Sequence, residues 1–457
     1  MCLTIPGKIE SISKGRAKVS YADKTTEVNL GVILDARVGD WVLYAGDMAV
    51  KKISAQDAKE IIELLEDNYS LVDVAALPLR YKRIVYKIRN TTSTESIHRK
   101  GTEKPITDNR SLITKKDIEY LFSLKGKQNL EALYAEANVM RKETLKDFVC
   151  IHGIIEFSNN CKNDCLYCGI RRSNENIRRY RMKSAEIFET AKGAVEKDGY
   201  KLLVLQSGED DGYTDLQLLN ILKNIKSKLR VFIFLSVGER SRKFYKEARK
   251  YASGSLYRFE TSNPELYKKM HPGKSLEERL DLLNYQISLG YYMASGGLIG
   301  LPGQTISDLA DDILLVKKLG IPMLSSGPFI SAANTPLENP KSEIRNPKQS
   351  LNSKFLILNS SQRLDLTLKY IAIARLVIPE IKIPITTALE TLDPENGRHK
   401  GLLAGGNALM FNLTPKKYSG DYSIYDNKYV EREKVWQKYG LFKGEESYEM
   451  LEGRLEL

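Results

Sequence analysis

FSNNCKNDCLYCGIRR, residues 157–172, places thiols at Cys161, Cys165 and Cys168 with the spacing C-x3-C-x2-C. It follows directly on VCIHGIIEF (149–157), an apolar run with the length and β-branched content of a buried strand. Three thiolates set this close can ligate three irons of a 4Fe-4S cube, which normally takes four cysteines, so one iron keeps an open coordination site. On the residues alone two other uses stay open: a zinc site completed by a fourth ligand such as His152, and a redox C-x-x-C pair.

Working outward, strand-like runs recur with helical stretches between most of them: YKLLVLQS (200–207), RVFIFLS (230–236), LYRFE (256–260), YYMASGGLIG (291–300), PMLSSG (322–327), IKIPITTA (381–388) and NALMFNL (407–413). With 149–157 these make eight, which predicts an α/β fold, a (β/α)8 TIM-type barrel within residues 111–435. Thr114 followed by Asp117 forms an approximate capping box for a helix at its start. The polar stretch 338–362 breaks the rhythm and is expected to be a surface insertion, and 436–457 a C-terminal tail. Upstream, KIESIS, RAKVSYA, TTEVNLGV, DWVLYAG and MAVKKIS alternate with turns and precede a charged helical stretch, AQDAKEIIELLEDN. Residues 1–68 therefore predict a small N-terminal β-barrel plus one helix, and 69–110, with Pro78, a basic run and NTTSTES, a linker.

The composition, 42% hydrophobic and 28% charged over 457 residues, is that of an ordinary globular protein, and no apolar run approaches membrane-spanning length. The start, MCLTIPGKIESISKG, lacks the pattern of a secretory signal, so the cytoplasm is expected. Five cysteines, three of them within eight residues, fit reduced thiols serving a metal better than a disulfide framework. The net charge of +12 draws much of its local excess from Arg80 to Lys104, which reads as a solvated basic linker and not as a nucleic-acid surface.

The cysteine spacing, the aromatic Tyr167 before the last thiol and the position after a first barrel strand together resemble the radical S-adenosylmethionine (SAM) superfamily. The resemblance implies a 4Fe-4S cluster on Cys161, Cys165 and Cys168, SAM bound at the open iron through its amine and carboxylate, and one-electron cleavage of SAM to a 5′-deoxyadenosyl radical. It also implies a set of SAM contacts: Tyr167, the string Gln206-Ser207-Gly208-Glu209, Glu260, Arg279, and Gly300 and Pro302 within GGLIGLPGQT. Gly208 would let backbone approach the ligand, and a carboxylate and a guanidinium would pair with the charged ends of SAM. Taken alone these residues are equally a turn, a surface ion pair and a strand-to-helix connection.

The strings IEFSNNCKNDCLYCGIRR, QSGED, RFETSNPELYKKMHP, GLIGLPGQT, GPFI, IPITTALETLDPENG and NLTP are similar to the iron-iron hydrogenase maturase family HydE over about residues 111–435. That implies a radical step on a sulfur-bearing, cysteine-ligated iron carbonyl cyanide fragment, with Thr386 and Thr387 as hydroxyl donors to an anionic substrate. The partners implied are hydrogenase maturation proteins, a scaffold or hydrogenase large subunit, and an electron donor such as ferredoxin or flavodoxin. The family often has a Pro-His-Pro-Asp-type string after GPFI, whereas Ser331, Ala332, Ala333 and Asn334 follow here. MCLTIPGKIESI and EVNLGVILDARVGDWVLYAG resemble the hydrogenase assembly chaperone family HypC, in which the second residue holds an iron fragment; Cys2 stands there, while Tyr44-Ala45-Gly46 replaces the usual His near the fifth strand. A thiolate at a chain terminus suits iron transfer, and an incidental exposed thiol is the other reading. Alternative functions are modification of tRNA or of a small amino acid, and non-catalytic iron carriage.

Overall fold

The structure is a computed structural model that describes residues 5–13, 15–21, 24–31, 33, 35–45, 48–59, 78–97, 113–145, 149–338 and 358–428. It divides into two compact units, a small one at the N-terminus and a large one that holds the barrel strands.

The small unit is a closed barrel of β1 (Ile5–Ser13), β2 (Arg16–Tyr21), β3 (Lys24–Asn29), β4 (Trp41–Ala45) and β5 (Met48–Ile53) in the order β1-β2-β3-β5-β4. Pairing is antiparallel except between β3 and β5, which meet at Asn29 and Met48. The strands alternate as half-buried strands do: Ala17 and Val19 of β2 point in while Lys18 points out. With Ile9, Val28, Val42 and Ala49 they form one apolar core, each large side chain stabilising the fold by about 1.5–3 kcal/mol when fully buried. Five expected strands are present, and the helix expected after them begins at Ala55–Lys59; its remainder lies outside the described residues.

The large unit is built on eight parallel strands in the order β12-β10-β9-β8-β7-β6-β15-β14. They are β6 (Cys150–Ser158), β7 (Leu202–Ser207), β8 (Phe232–Ser236), β9 (Gly254–Leu256), β10 (Tyr292–Ser295), β12 (Met323–Leu324), β14 (Pro384–Ile385) and β15 (Ala408–Asn412). The two ends of this order meet through a bridge between Met323 and Lys382, where Leu324 N–H donates to Lys382 O at 2.8 Å and Lys382 N–H to Pro322 O at 2.9 Å, so the barrel is nearly closed. β11 (Leu298–Ile299) and β13 (Gly327–Pro328) extend the lines of β10 and β12 as a separate parallel pair. All nine residues of β6 are buried, His152 and Glu156 among them, which is why apolar residues do not alternate with exposed polar ones along this strand. Each of the eight expected runs overlaps a strand of this barrel, LYRFE at Leu256 alone.

Two boundaries differ from expectation. Within the stretch predicted as a linker, Leu79–Ile97 is a helix. Its Tyr81, Ile84 and Ile88 are buried, Tyr81 Oη donates to Ala132 O at 3.0 Å, and Arg89 and Lys87 pair with Glu136 at 2.7 Å and Asp117 at 3.2 Å. The end of the predicted 338–362 insertion belongs to the helix Ser360–Val377, capped by Asn359 in a reciprocal pair with Gln362; residues 339–357 lie outside the described ones, as does the predicted tail. The Thr114 capping box is present, with Asp117 closing it on helix Lys115–Ser123. No helix among the described residues is long and apolar enough to cross a membrane.

Candidate active site

At the carboxyl ends of the barrel strands a cavity of about 310 Å³ is lined by Cys161, Cys165 and Cys168 together with Tyr167, Gln206, Ser207, Gly208, Glu209, Glu260, Arg279, Thr386 and Thr387. The cysteine loop leaves β6 and is fixed by backbone bonds to its surroundings: Lys162 N–H to Glu209 O at 2.9 Å, Leu166 N–H to Met270 O at 3.0 Å and Gly169 N–H to Ile424 O at 3.0 Å. One side chain, Arg179, ties four of its carbonyls, those of Asn159, Ile170, Arg171 and Asn174, at 2.6 to 3.1 Å. Arg171 in turn donates to Asp164 at 2.7 Å, and that bond holds the Asp164 carboxyl well below the usual carboxylate range.

Burial pushes all three thiols up, Cys168 to about 12, and the charges of the other thiols push Cys165 and Cys168 further in the same direction. Three thiolates sharing this site therefore require a cationic centre to neutralise them. Among the described residues no three His, Cys, Asp or Glu side chains converge where a single ion could sit; a cube, by contrast, offers a separate iron to each thiolate. His152, the fourth ligand weighed for zinc, is buried, stacks on Phe234 at 6.4 Å and does not line the cavity. Cys150 is likewise buried away from the cavity, and its thiol is raised by desolvation.

Polar groups converge beside the thiols. Gly208 sits against the cysteine loop: a Cβ there would lie 2.3 Å from Asn160 O and 2.9 Å from Cys161 Cβ. The need for glycine is thus the close approach of β7's end to the loop itself. Glu209 Oε2 is buried without a hydrogen-bond partner among the described residues, while Oε1 lies 3.4 Å from Arg279 Nη1. Gly238, at φ +68, leaves the space this carboxylate occupies, since a Cβ would meet Glu209 Cγ at 2.1 Å. Arg279 lies largely covered over the Tyr257 ring at 3.7 Å, donates through Nε to Arg258 O at 2.7 Å and reaches Glu239 at 3.3 Å. Its charge is thereby shared between two carboxylates, one of which, Glu239, also takes Lys274. Gly238, Glu239 and Lys274 stand in short turns whose charged sequence resembles any exposed loop, and sequence reasoning passed over them.

Glu260 holds a left-handed backbone, φ 67, which costs a non-glycine residue about 1–3 kcal/mol and is kept where surroundings enforce it. Its carboxylate lies 3.1 Å from Arg258 Nη2, while Arg258 Nε has no hydrogen-bond partner among the described residues. Tyr167 Oη bonds His271 Nε2 at 2.9 Å. The other ring nitrogen faces Tyr267 O at 2.9 Å and can only donate there, so Nε2 accepts and Tyr167 donates. Burial keeps His271 below its ordinary value, consistent with a neutral ring.

Thr386 precedes helix Thr387–Leu392 as its N-cap residue, and Thr387 Oγ1 pairs with Tyr425 Oη at 2.9 Å. Tyr425 belongs to a segment, 420–428, that sequence reading did not assign to the site. It brings Tyr422, Tyr425 and Lys428 to the cavity, Lys428 pairing with the buried Glu156, whose other oxygen accepts from Asn412 at 3.0 Å. The 331–334 string docks this segment: Asp426 N–H donates to Ser331 O at 3.0 Å and Asp426 Oδ1 accepts from Ala333 N–H at 2.8 Å. Gly300 and Pro302, expected as SAM contacts, do not line the cavity. The chain has already turned there, with Gly300 at φ +84 and its N–H donating to Gln304 Oε1 at 2.8 Å, and Leu298 is the residue of that string that reaches the cavity. Cys2 lies outside the described residues.

Comparison with known proteins matches residues 1–65 to the HupF/HypC family and residues 155–316 to the radical SAM superfamily. Over 326 residues the chain is 40% identical to the [FeFe] hydrogenase maturase subunit HydE of Thermotoga maritima, covering 71% of this chain and 87% of that protein. It is 30% identical over 322 residues to the 3-methylornithine synthase of Methanosarcina acetivorans, covering 70% of this chain and 85% of that one. The crystal structure of methylornithine synthase PylB superimposes with a TM-score of 0.61 at 25% identity, over 75% of this chain and 93% of that one. The eight-stranded parallel barrel, the three-thiol loop at its mouth and these identities agree: the chain is a radical SAM enzyme of the HydE family joined to an N-terminal domain of the HupF/HypC family.

Proposed function

We propose that the enzyme works in the cytoplasm on hydrogenase cofactor assembly, binding a 4Fe-4S cluster on Cys161, Cys165 and Cys168 and SAM beside it, and acting on a sulfur-bearing iron carbonyl cyanide fragment. The observation that carries this reading is the convergence of three thiols and an unpartnered buried carboxylate oxygen, Glu209 Oε2, on one cavity in a chain 40% identical to a HydE. When bound, the cluster and SAM together supply a 5′-deoxyadenosyl radical by one-electron reductive cleavage.

The chain's own part is binding, orientation and exclusion of water. Glu209 Oε2 is an acceptor for an ammonium group, and Arg258 Nε is a donor for a carboxylate or ribose oxygen. Arg279 keeps Glu209 in place by the shared ion pair with Glu239. Tyr167, edge-on to Phe329 at 6.2 Å and bonded to His271, walls the thiols with apolar surface, which lowers the local dielectric around a reactive intermediate. At the far side Thr386 and the Thr387–Tyr425 pair present hydroxyls to an anionic substrate, and Lys428 adds a cation there. Ferredoxin or flavodoxin would supply the electron.

Anaerobic reconstitution with SAM and dithionite tests the core of this reading. The wild type is expected to form 5′-deoxyadenosine and a Cys161→Ala/Cys165→Ala/Cys168→Ala variant none; equal background from both overturns it. The 30% identity to a 3-methylornithine synthase favours a second reading, a small amino-acid substrate. Stimulation of 5′-deoxyadenosine release by a synthetic cysteine-bound iron carbonyl cyanide complex, and not by free amino acids, separates the two. For the N-terminal domain we propose that Cys2 presents an iron fragment or docks a maturation partner or hydrogenase large subunit; full iron transfer by Cys2→Ser in a reconstituted assay would refute the carrier role.

A further inference from the structure

Asp312 lies on helix Ile306–Lys318 and is wholly buried. It pairs with no cation among the described residues, so no ion pair compensates its burial. Burial raises its carboxyl to about 7, the Ser262 bonds opposing that rise and the like charges of Asp308 and Asp311 on its own helix adding to it; Tyr370 faces it from helix Ser360–Val377.

What Asp312 does hold is the turn that carries Glu260. Its Oδ1 accepts from Ser262 N–H at 2.6 Å and its Oδ2 from Gln304 Nε2 at 3.3 Å. Gln304 Nε2 also donates to Leu298 O at 3.0 Å, Leu298 N–H donates to Glu260 O at 2.8 Å, and Glu260 N–H donates to Gly296 O at 3.1 Å. The bonds form a ring that leaves Glu260 on one side and returns to it on the other. Gly297 sits inside that ring, where a Cβ would meet Asp312 Oδ2 and Glu260 O at 2.9 Å each. A left-handed glutamate persists only where its neighbours determine it on both sides, and this ring does so.

We propose that Asp312 is a positioning residue for SAM: through Ser262 and Gln304 it holds Glu260 in its left-handed conformation, so that the Glu260 carboxylate is in place before SAM arrives. The effect is preorganisation, which improves binding by removing an ordering step from it. The proposal rests on the reading above that Glu260 faces SAM.

The test uses the full-length, cluster-reconstituted protein and measures SAM affinity by equilibrium titration, with iron content and thermal midpoint alongside, for Asp312→Asn, Glu260→Gln and the double variant. Asp312→Asn keeps an acceptor for Ser262 N–H but turns an NH2 toward Gln304, whose own amide is fixed by Gly300 and Leu301. It is expected to weaken SAM about tenfold, about the size of one hydrogen bond, with iron content unchanged. Glu260→Gln is expected to weaken SAM at least as much, and the double variant to bind no worse than Glu260→Gln alone, because a residue acting through another adds nothing once that other is removed. Wild-type affinity in Asp312→Asn, or additive losses in the double variant, overturns the proposal while leaving the SAM reading intact. Wild-type affinity in Glu260→Gln overturns the SAM reading and the proposal with it. If Asp312→Asn fails to load its cluster, Gln304→Ala opens the same ring elsewhere: weaker SAM binding at normal iron content supports the proposal, and unchanged affinity overturns it.

Discussion

The two halves of the large barrel are held together by different means. From β15 through β6 and β7 to β8, strands pair over runs of four or five residues and the backbone ladder does the joining. From β8 through β9 and β10 to β12, and from β15 to β14, each pairing spans two or three residues, and the two ends meet only at the Met323–Lys382 bridge. Buried polar side chains take over there: Arg375 Nε and Nη1 donate to the carbonyls of Gly405, Pro379 and Ile381 at 2.6 to 2.9 Å and Nη2 to Asn407 Oδ1 at 3.1 Å, while Asp312 joins Ser262 to Gln304. The ladder-held half carries the thiols, and the other half carries Glu260 and the threonines. A barrel can thus leave short strands where its mouth must admit a ligand, provided side chains complete the bonds the ladder omits.

The comparison breaks most sharply at Arg375. Arg375→Met would leave the buried carbonyls of Gly405 and Ile381 without their donor, and Asn407 Oδ1 with Ile383 N–H alone, and we expect a loss of about 4 kcal/mol in urea denaturation, or no folded protein at all. Asp312→Asn tests the same half by pH. Because the Asp312 carboxyl is raised to about 7, the folded state favours its protonated form; stability from this group is full below pH 3.8, falls as pH rises toward 7 and is flat above. Relative to wild type, Asp312→Asn should therefore gain stability between pH 4 and 7, by up to about 4 kcal/mol, and a constant offset across that window would contradict the assignment. Gly238→Ala, which forces a side chain at φ +68 into Glu209, should weaken SAM about tenfold, or 1.4 kcal/mol, without changing iron content. The smallest effect is expected in the ladder-held half, where Thr414→Val removes the acceptor for Glu156 N–H at 2.8 Å and should cost about 1 kcal/mol.

The same division governs what could be read from the chain. β6, β7 and β8 each carry a core of consecutive large apolar residues, and their ends were legible to within a few residues. LYRFE was harder, because only its first residue lies in β9 and the rest runs out toward the left-handed Glu260. The helix Leu79–Ile97 was hidden by its basic and Ser/Thr composition, although Tyr81, Ile84 and Ile88 at helical spacing were there to find. Of the SAM contacts expected, Tyr167, Gln206, Ser207, Gly208, Glu209, Glu260 and Arg279 share one cavity, and Gly300 and Pro302 do not. Arg179, Asp312 and Gly238 had no local signal, since each acts on groups tens of residues away or on backbone whose conformation no spacing specifies.

Segment 420–428 has a consequence for the order in which the protein is made. The cysteine loop at 161–172 donates Gly169 N–H to Ile424 O, and Asn159 Nδ2 donates to Asp421 O at 2.8 Å; Arg178 pairs with the Asp421 carboxylate. Those acceptors leave the ribosome some 250 residues after the loop that needs them. Until then the three thiols belong to a nascent chain whose loop is only partly bonded, and the cysteine loop is among the last parts of the barrel to be locked.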